Sequence, residues 1–255
     1  MDAVTTYKLF AENSQKTLDR LSSSPVISRE VEYYRENIGN VKSAEDLVSD
    51  QRLLNFALKA YGLEEMSYAR AFIQKIVEGE ADGEDGLADR LTDPRYKELA
   101  DDFDFQSFGA ATTSFTRATE GVVDRFFQAQ LEQEAGDQNT GARLAIYFER
   151  KAEEIDNAYE IIGDRALFQV IQTAFQLPEQ MALQDIDKQS DIIKDRLDLE
   201  DLKDPEKVKE LTNRFLNLWD TQNSSQVSVP PLVGMFSGVQ SLSLDLISSL
   251  QSFRR

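Results

Sequence analysis

An all-α fold, a multi-helix bundle with two diverged pseudo-repeat halves joined by a long central helix, is what this chain predicts, and three observations predict it. Apolar residues recur at three- and four-residue intervals almost throughout, which places them on one face of a helix. No segment keeps the period-two alternation between turn signals that a strand needs. A shift of 114 residues lays the second half of the chain on the first.

The elements follow in order. A first helix is expected from Thr5 to Leu21, ending at the break Ser22-Ser23-Ser24-Pro25; Val31, Tyr34 and Ile38 then mark a second helical face. Ser43 with Asp46 reads as a capping box. Ser49 is the expected cap of the next helix, whose stripe of Leu53, Leu54, Ala57, Leu58 and Tyr61 runs to a stop at Gly62. Met66 to Glu78 reads as another helix, with Ala71, Ile73 and Ile76 buried. The acidic, glycine-rich run Glu78 to Gly86 reads as a surface loop, and Asp93-Pro94 restarts a helix as cap and first turn. The longest helix is expected from about Ala110 to Glu134, its seam formed by Phe115, Ala118, Val122, Phe126 and Ala129, widened by Val123 and Phe127, with Gly136 ending it. Helices resume at Ala142 and run to about Thr221, broken near Asp156, Gly163, Pro178 and Asp204-Pro205.

The duplication rests on order as well as identity. Tyr33, Ala44, Asp50, Leu53, Ala60, Leu63 and Glu65 fall on Tyr147, Ala158, Asp164, Leu167, Ala174, Leu177 and Glu179, and conservative pairs such as Tyr34 with Phe148 and Leu47 with Ile161 lie between them. Leu91, Asp93, Pro94 and Phe103 recur as Leu202, Asp204, Pro205 and Phe215. The organisation read from this is a helical domain over residues 1–222, with pseudo-repeats at about 25–103 and 142–217, and a linker with an apolar helical tail over 223–255. In that tail Val239, Leu242, Leu246, Leu250 and Phe253 approximate helical spacing among serines. They are the candidate partner-binding residues, facing either the protein's own body, a second copy or another protein.

Composition excludes much chemistry. With no histidine and no cysteine, Ser-His-Asp and Cys-His catalysis, disulfides, thiolate zinc sites and imidazole ligation are all absent. The 46 acidic against 28 basic residues make nucleic acid a poor partner, since the mean field repels a phosphate backbone. No apolar stretch is long enough to span a membrane, and Met1 to Tyr7 lacks the features of a cleavable secretion signal. Asp101, Asp102 and Asp104 read as a solvated face rather than an acid–base pair. Glu78 to Asp89 has a faint likeness to a calcium loop, departing from it at the first and last ligand positions. Trp219, near Phe215 and Leu216, reads as a core anchor. No catalytic, metal-binding or cofactor-binding residue is identified, and no cofactor is expected.

The runs Val31-Glu32-Tyr33-Tyr34-Arg35-Glu36-Asn37-Ile38, Asp50-Gln51-Arg52-Leu53-Leu54, Ala60-Tyr61-Gly62-Leu63-Glu64, Leu87-Ala88-Asp89-Arg90-Leu91 and Leu144-Ala145-Ile146-Tyr147-Phe148-Glu149-Arg150-Lys151 resemble an alphaproteobacterial domain-of-unknown-function family, over most of Ser24 to Asp220. The resemblance implies a flagellar connection: members are often encoded among flagellar genes and some carry descriptions related to the flagellar basal-body rod. Axial rod and hook proteins usually place β-rich domains between helical ends, whereas this chain is helical between them, so an accessory or chaperone-like role fits equally. The expectation is therefore a non-enzymatic structural or protein-interaction role in flagellum assembly or motility, in the cytoplasm or at the flagellum after signal-independent export, with flagellar components or a second copy as partners. The alternatives are an enzyme with a carboxylate-lined pocket and an acidic calcium-responsive adaptor.

Overall fold

The computed structural model describes residues 1–79 and 86–223, and among these there is no strand. The helices are α1 (Ala3–Ala11), α2 (Ser14–Ser22), α3 (Pro25–Ile38), α4 (Ala44–Ser49), α5 (Gln51–Ala60), α6 (Arg70–Glu78), α7 (Pro94–Asp102), α8 (Phe105–Phe108), α9 (Glu120–Gln138), α10 (Thr140–Lys151), α11 (Ala158–Gly163), α12 (Arg165–Ala174), α13 (Ile186–Lys194) and α14 (Pro205–Asn223), with short 3-10 turns between several of them. Met1–Asp220 forms one compact unit. Thr221–Arg255 is a second, of which only the last three residues of α14 are described. Val239, Leu242, Leu246, Leu250 and Phe253 lie outside the described residues.

Two large cores follow the two halves. The first gathers α3 to α7 around Tyr34, Leu54, Leu58 and Phe103, and takes Val122, Val123 and Phe126 from the amino-terminal part of α9. Tyr34, Phe56 and Phe126 stack in series, with ring centroids 4.4 and 4.1 Å apart. The second core gathers α10 to α14 around Phe148, Ile161, Ile171 and Phe215, and receives Ala3 and Tyr7 from α1. A small third cluster of Phe10, Leu21, Leu131 and Ala135 seats α1 and α2 on the carboxyl-terminal part of α9. That helix thus bridges the halves as expected. The amino terminus is locked to the end of the unit: the Asp220 carboxylate accepts from the Ala3 and Val4 amides at 2.7 and 3.1 Å, serving donors of the first turn that have no partner within α1.

The halves repeat one another in detail. In each, a tyrosine hydroxyl bonds an aspartate 17 residues ahead, Tyr33 to Asp50 and Tyr147 to Asp164. The other oxygen of each aspartate caps the following helix: Asp50 takes the Arg52 and Leu53 amides, and Asp164 takes those of Ala166 and Leu167. The two capped helices also end alike. Leu63 N–H bonds Leu58 O and Gly62 N–H bonds Lys59 O; Leu177 N–H bonds Gln172 O and Gln176 N–H bonds Thr173 O. The left-handed residue of this turn is Gly62, φ +67°, in the first half and Gln176, φ +52°, in the second.

Several boundaries differ from expectation, each for a local reason. The helix expected over Thr5 to Leu21 is two, because Asn13 turns its amide back onto the Leu9 carbonyl. The turn also lets Phe10 and Leu21 join one cluster, where a straight helix would hold them about 16 Å apart. The central helix begins at Glu120 rather than Ala110. The preceding residues form 3-10 turns whose Thr112 and Thr113 hydroxyls bond the carbonyls of Asp104 and Val41. Phe115 is consequently extended and 39% exposed instead of opening the seam. Gly136 does not end this helix; it allows close approach, since a Cβ there would lie 2.8 Å from Arg143 Cδ. At 19 residues α9 matches the described part of α14. Asp50, not Ser49, caps α5; α6 starts at Arg70; and Ala71 is exposed, while Ile73 and Ile76 are buried with Val77.

Candidate functional site

Two features stand out from the described surface, a charged cleft between the halves and an aromatic cluster beside it in sequence. The cleft has a volume of about 320 Å³ and is lined from α5, α7, α9, α10 and α12. Its floor is an ion-pair network. Glu98 of α7 pairs with Lys151 of α10 at 2.6 Å and with Arg125 of α9 at 3.2 Å. Arg125 also meets Asp102, one turn on from Glu98, and Asp102 accepts the Tyr61 hydroxyl at 2.6 Å. Glu132 pairs with Arg150 at 2.7 Å. These groups are poorly solvated, the Lys151 and Glu132 side chains being only 6 and 7% exposed. Removing one partner would strand a buried charge, which costs about 3–5 kcal/mol. Asp102, read from the sequence as part of a solvated face, is instead a member of this network; its i, i+4 relation to Glu98 was visible, but the partners come from α9, from α10 and from the turn that follows α5.

Burial and pairing reinforce the ordinary protonation states around the cleft. Loss of hydration pushes the Tyr147 hydroxyl far above its ordinary value, helped by the charge and hydrogen bond of Asp164. Tyr61 is pushed the same way, first by burial and then by Asp102. Arg95 is desolvated too, yet its pairing with Asp93 outweighs that and raises it. Its Nη1 donates to the Gly62 carbonyl at 2.6 Å, fastening the left-handed turn to α7.

Three further lining cations, Lys59, Arg143 and Arg165, have no anionic partner among the described residues. In sequence they are scattered across a hundred positions, which is why no basic cluster was read there. Only the fold brings them to one cleft.

The aromatic cluster comprises Phe108, Phe115 and Arg117. The rings meet edge to face at 4.9 Å and are 41 and 39% exposed. The guanidinium carbon lies 4.8 Å from one ring centroid and 5.2 Å from the other. Its Nε and Nη2 are shielded from solvent but have no hydrogen-bond partner among the described residues. Two such contacts return about 0.5–2 kcal/mol each, against a cost of about 1–3 kcal/mol for unsatisfied donors. The ring contacts thus offset much of the cost of the unmet donors.

Of the calcium-loop candidates, residues 80–85 lie outside the described residues, and Asp89 is engaged by Lys97 at 2.7 Å. Phe215 and Leu216 are buried, and the partly buried Trp219 packs against the second core with its indole over Gly141. Among the described residues no helix is long and apolar enough to cross a membrane.

No curated protein sequence matches the chain. A crystal structure of a protein from the alphaproteobacterium Agrobacterium tumefaciens, solved in a structural-genomics programme, is similar at 46% identity, covering 87% of this chain and 94% of that one with a TM-score of 0.81. The likeness therefore includes both halves of the helical unit. The model of a family described as protein of unknown function, DUF1217, matches residues 60–208. From the carboxyl end of α5 into α14, and so across the bridging helix and the cleft, the chain belongs to the DUF1217 family.

Proposed function

We propose that this protein works by holding a protein partner rather than by catalysis, and that the partner belongs to the bacterial flagellum. The observation that carries the first part is the Phe108–Phe115–Arg117 cluster. Exposed aromatics and arginine dominate the energetics of protein interfaces, and here two part-exposed rings hold a guanidinium stacked against both of them. The cleft supports the same reading, because Glu98, Glu132 and Asp164 are each committed to a cation, a tyrosine or a helix cap instead of being held ready for proton transfer. The flagellar part rests on the family resemblance carried by the runs around Tyr33, Asp50, Ala60 and Tyr147.

The test is affinity capture of flagellar components by the intact protein and by Phe108→Ala and Arg117→Ala variants. Capture by the wild type that falls about tenfold or more in the variants is expected. Equal capture by all three, with normal motility in a deletion strain, would overturn the reading.

A further inference from the structure

We infer that the cleft between the halves is a binding site for a small, multiply charged phosphoryl anion. Lys59 at the end of α5, Arg143 on α10 and Arg165 at the start of α12 all line it, and none has a carboxylate partner among the described residues. Against them stands one lining carboxylate, Glu64, that is unpaired among the described residues. The other lining cations, on α7, α9 and α10, are already neutralised by the network beneath.

An unpaired cationic trio is not what the whole-chain charge of −18 would lead one to expect. At physiological ionic strength, however, charges beyond about 8 Å are largely screened, so the potential inside the cleft is set by its own walls. Guanidinium forks match the tetrahedral oxygens of a phosphoryl group, and they bind more than one of them at a time. Neutral hydrogen-bonding side chains, Gln133, Thr140 and Gln169, line the same cleft. The first amides of α12 are not available, since Asp164 already accepts them, so the side chains rather than the helix end make this site. At about 320 Å³ the space suits a metabolite-sized ligand and is too small for a folded polymer. This inference does not depend on the protein-partner reading, because the aromatic cluster contributes nothing to the cleft.

Titration calorimetry with inorganic pyrophosphate, against sodium chloride of equal ionic strength, tests it directly. Saturable binding to the full chain is expected, weakened about tenfold or more in an Arg143→Gln/Arg165→Gln double variant. Both arginines are exposed and lack ion-pair partners among the described residues, so the double variant should melt with the wild type when no ligand is present. The single variants Arg143→Gln and Arg165→Gln, each expected to bind more weakly than wild type, provide the same comparison if the double variant folds poorly. Absence of saturable heat in the wild type, or equal affinity in the variants, would overturn the inference.

Discussion

The Tyr33 hydroxyl donates to the Asp50 carboxylate at 2.6 Å, and an offset of 114 residues reproduces the bond between Tyr147 and Asp164. In both halves the bond ties the penultimate turn of one helix to the cap of the helix after next or its counterpart, so the aspartate links two elements. Tyr33→Phe should destabilise only slightly, because that hydrogen bond is open to solvent competition. Tyr147→Phe should cost more, about 1–3 kcal/mol, because it leaves a carboxylate that is only 5% exposed short of a donor. Denaturant unfolding of the two variants checks the order.

The paired turns at Gly62 and Gln176 give a second comparison. A side chain in the left-handed region costs about 1 kcal/mol, which glycine avoids. Gln176→Gly should therefore stabilise the protein by about 0.5–1 kcal/mol, and Gly62→Ala should destabilise it by about 1 kcal/mol. Around Gly62, among the described residues, only Arg95 comes within 4 Å of the added Cβ, at 3.6 Å, so that loss is conformational rather than steric. Thermal melts of both variants decide the matter by sign alone.

Gly163 is required for a different reason. A Cβ there would collide with the Thr92 carbonyl, where the end of α11 meets the connection leading into α7. Gly163→Ala should cost about 1–3 kcal/mol or more, since backbone must move. Gly39→Ala is the control, with a right-handed φ of −62° and nothing within 4 Å of the new carbon, and it should be neutral or mildly stabilising. Equal melting temperatures for the two would refute the close-contact account.

Stability should fall at both ends of the pH scale. Burial tends to raise Asp50, but the Tyr33 hydroxyl, the Leu53 and Arg52 amides and the Arg52 charge outweigh it and hold the carboxyl low. Asp89 beside Lys97 and Glu120 beside Arg35 are lowered as well. A depressed carboxyl contributes stability above its unfolded value of about 4, and that contribution is lost as pH falls through the folded value. Buried Tyr34 and Tyr61 are raised, chiefly by desolvation. Their contribution is present below about pH 10, the unfolded value, and is lost above it. Tyrosinate absorbance rising together with loss of helical circular dichroism above pH 10 would show the alkaline limb; ionisation of all tyrosines with the helices intact would contradict it.

What the sequence revealed was what local rules govern. Tyr34, Leu54, Leu58 and Ile76 lie buried where helical spacing put them, and the caps at Ser43 and Asp93 form as read. The repeated tyrosine and aspartate positions were also legible, though not that they bond one another. The breaks at Asn13 and before Glu120 were missed because tertiary contacts decide them: Phe10 must share a cluster with Leu21, and Thr113 must reach the Val41 carbonyl across 72 residues. The cleft was illegible for the same reason, since Lys59, Arg143 and Arg165 converge only once the two halves are packed on α9.

Photo-crosslinking in living cells, with the reactive amino acid at exposed Ser114 beside Phe115, tests the central claim most directly when the products are identified by mass spectrometry. The account predicts a discrete adduct with a flagellar protein that disappears when Arg117 is replaced by alanine. An unchanged adduct in that variant, or adducts only with proteins unrelated to the flagellum, would contradict it.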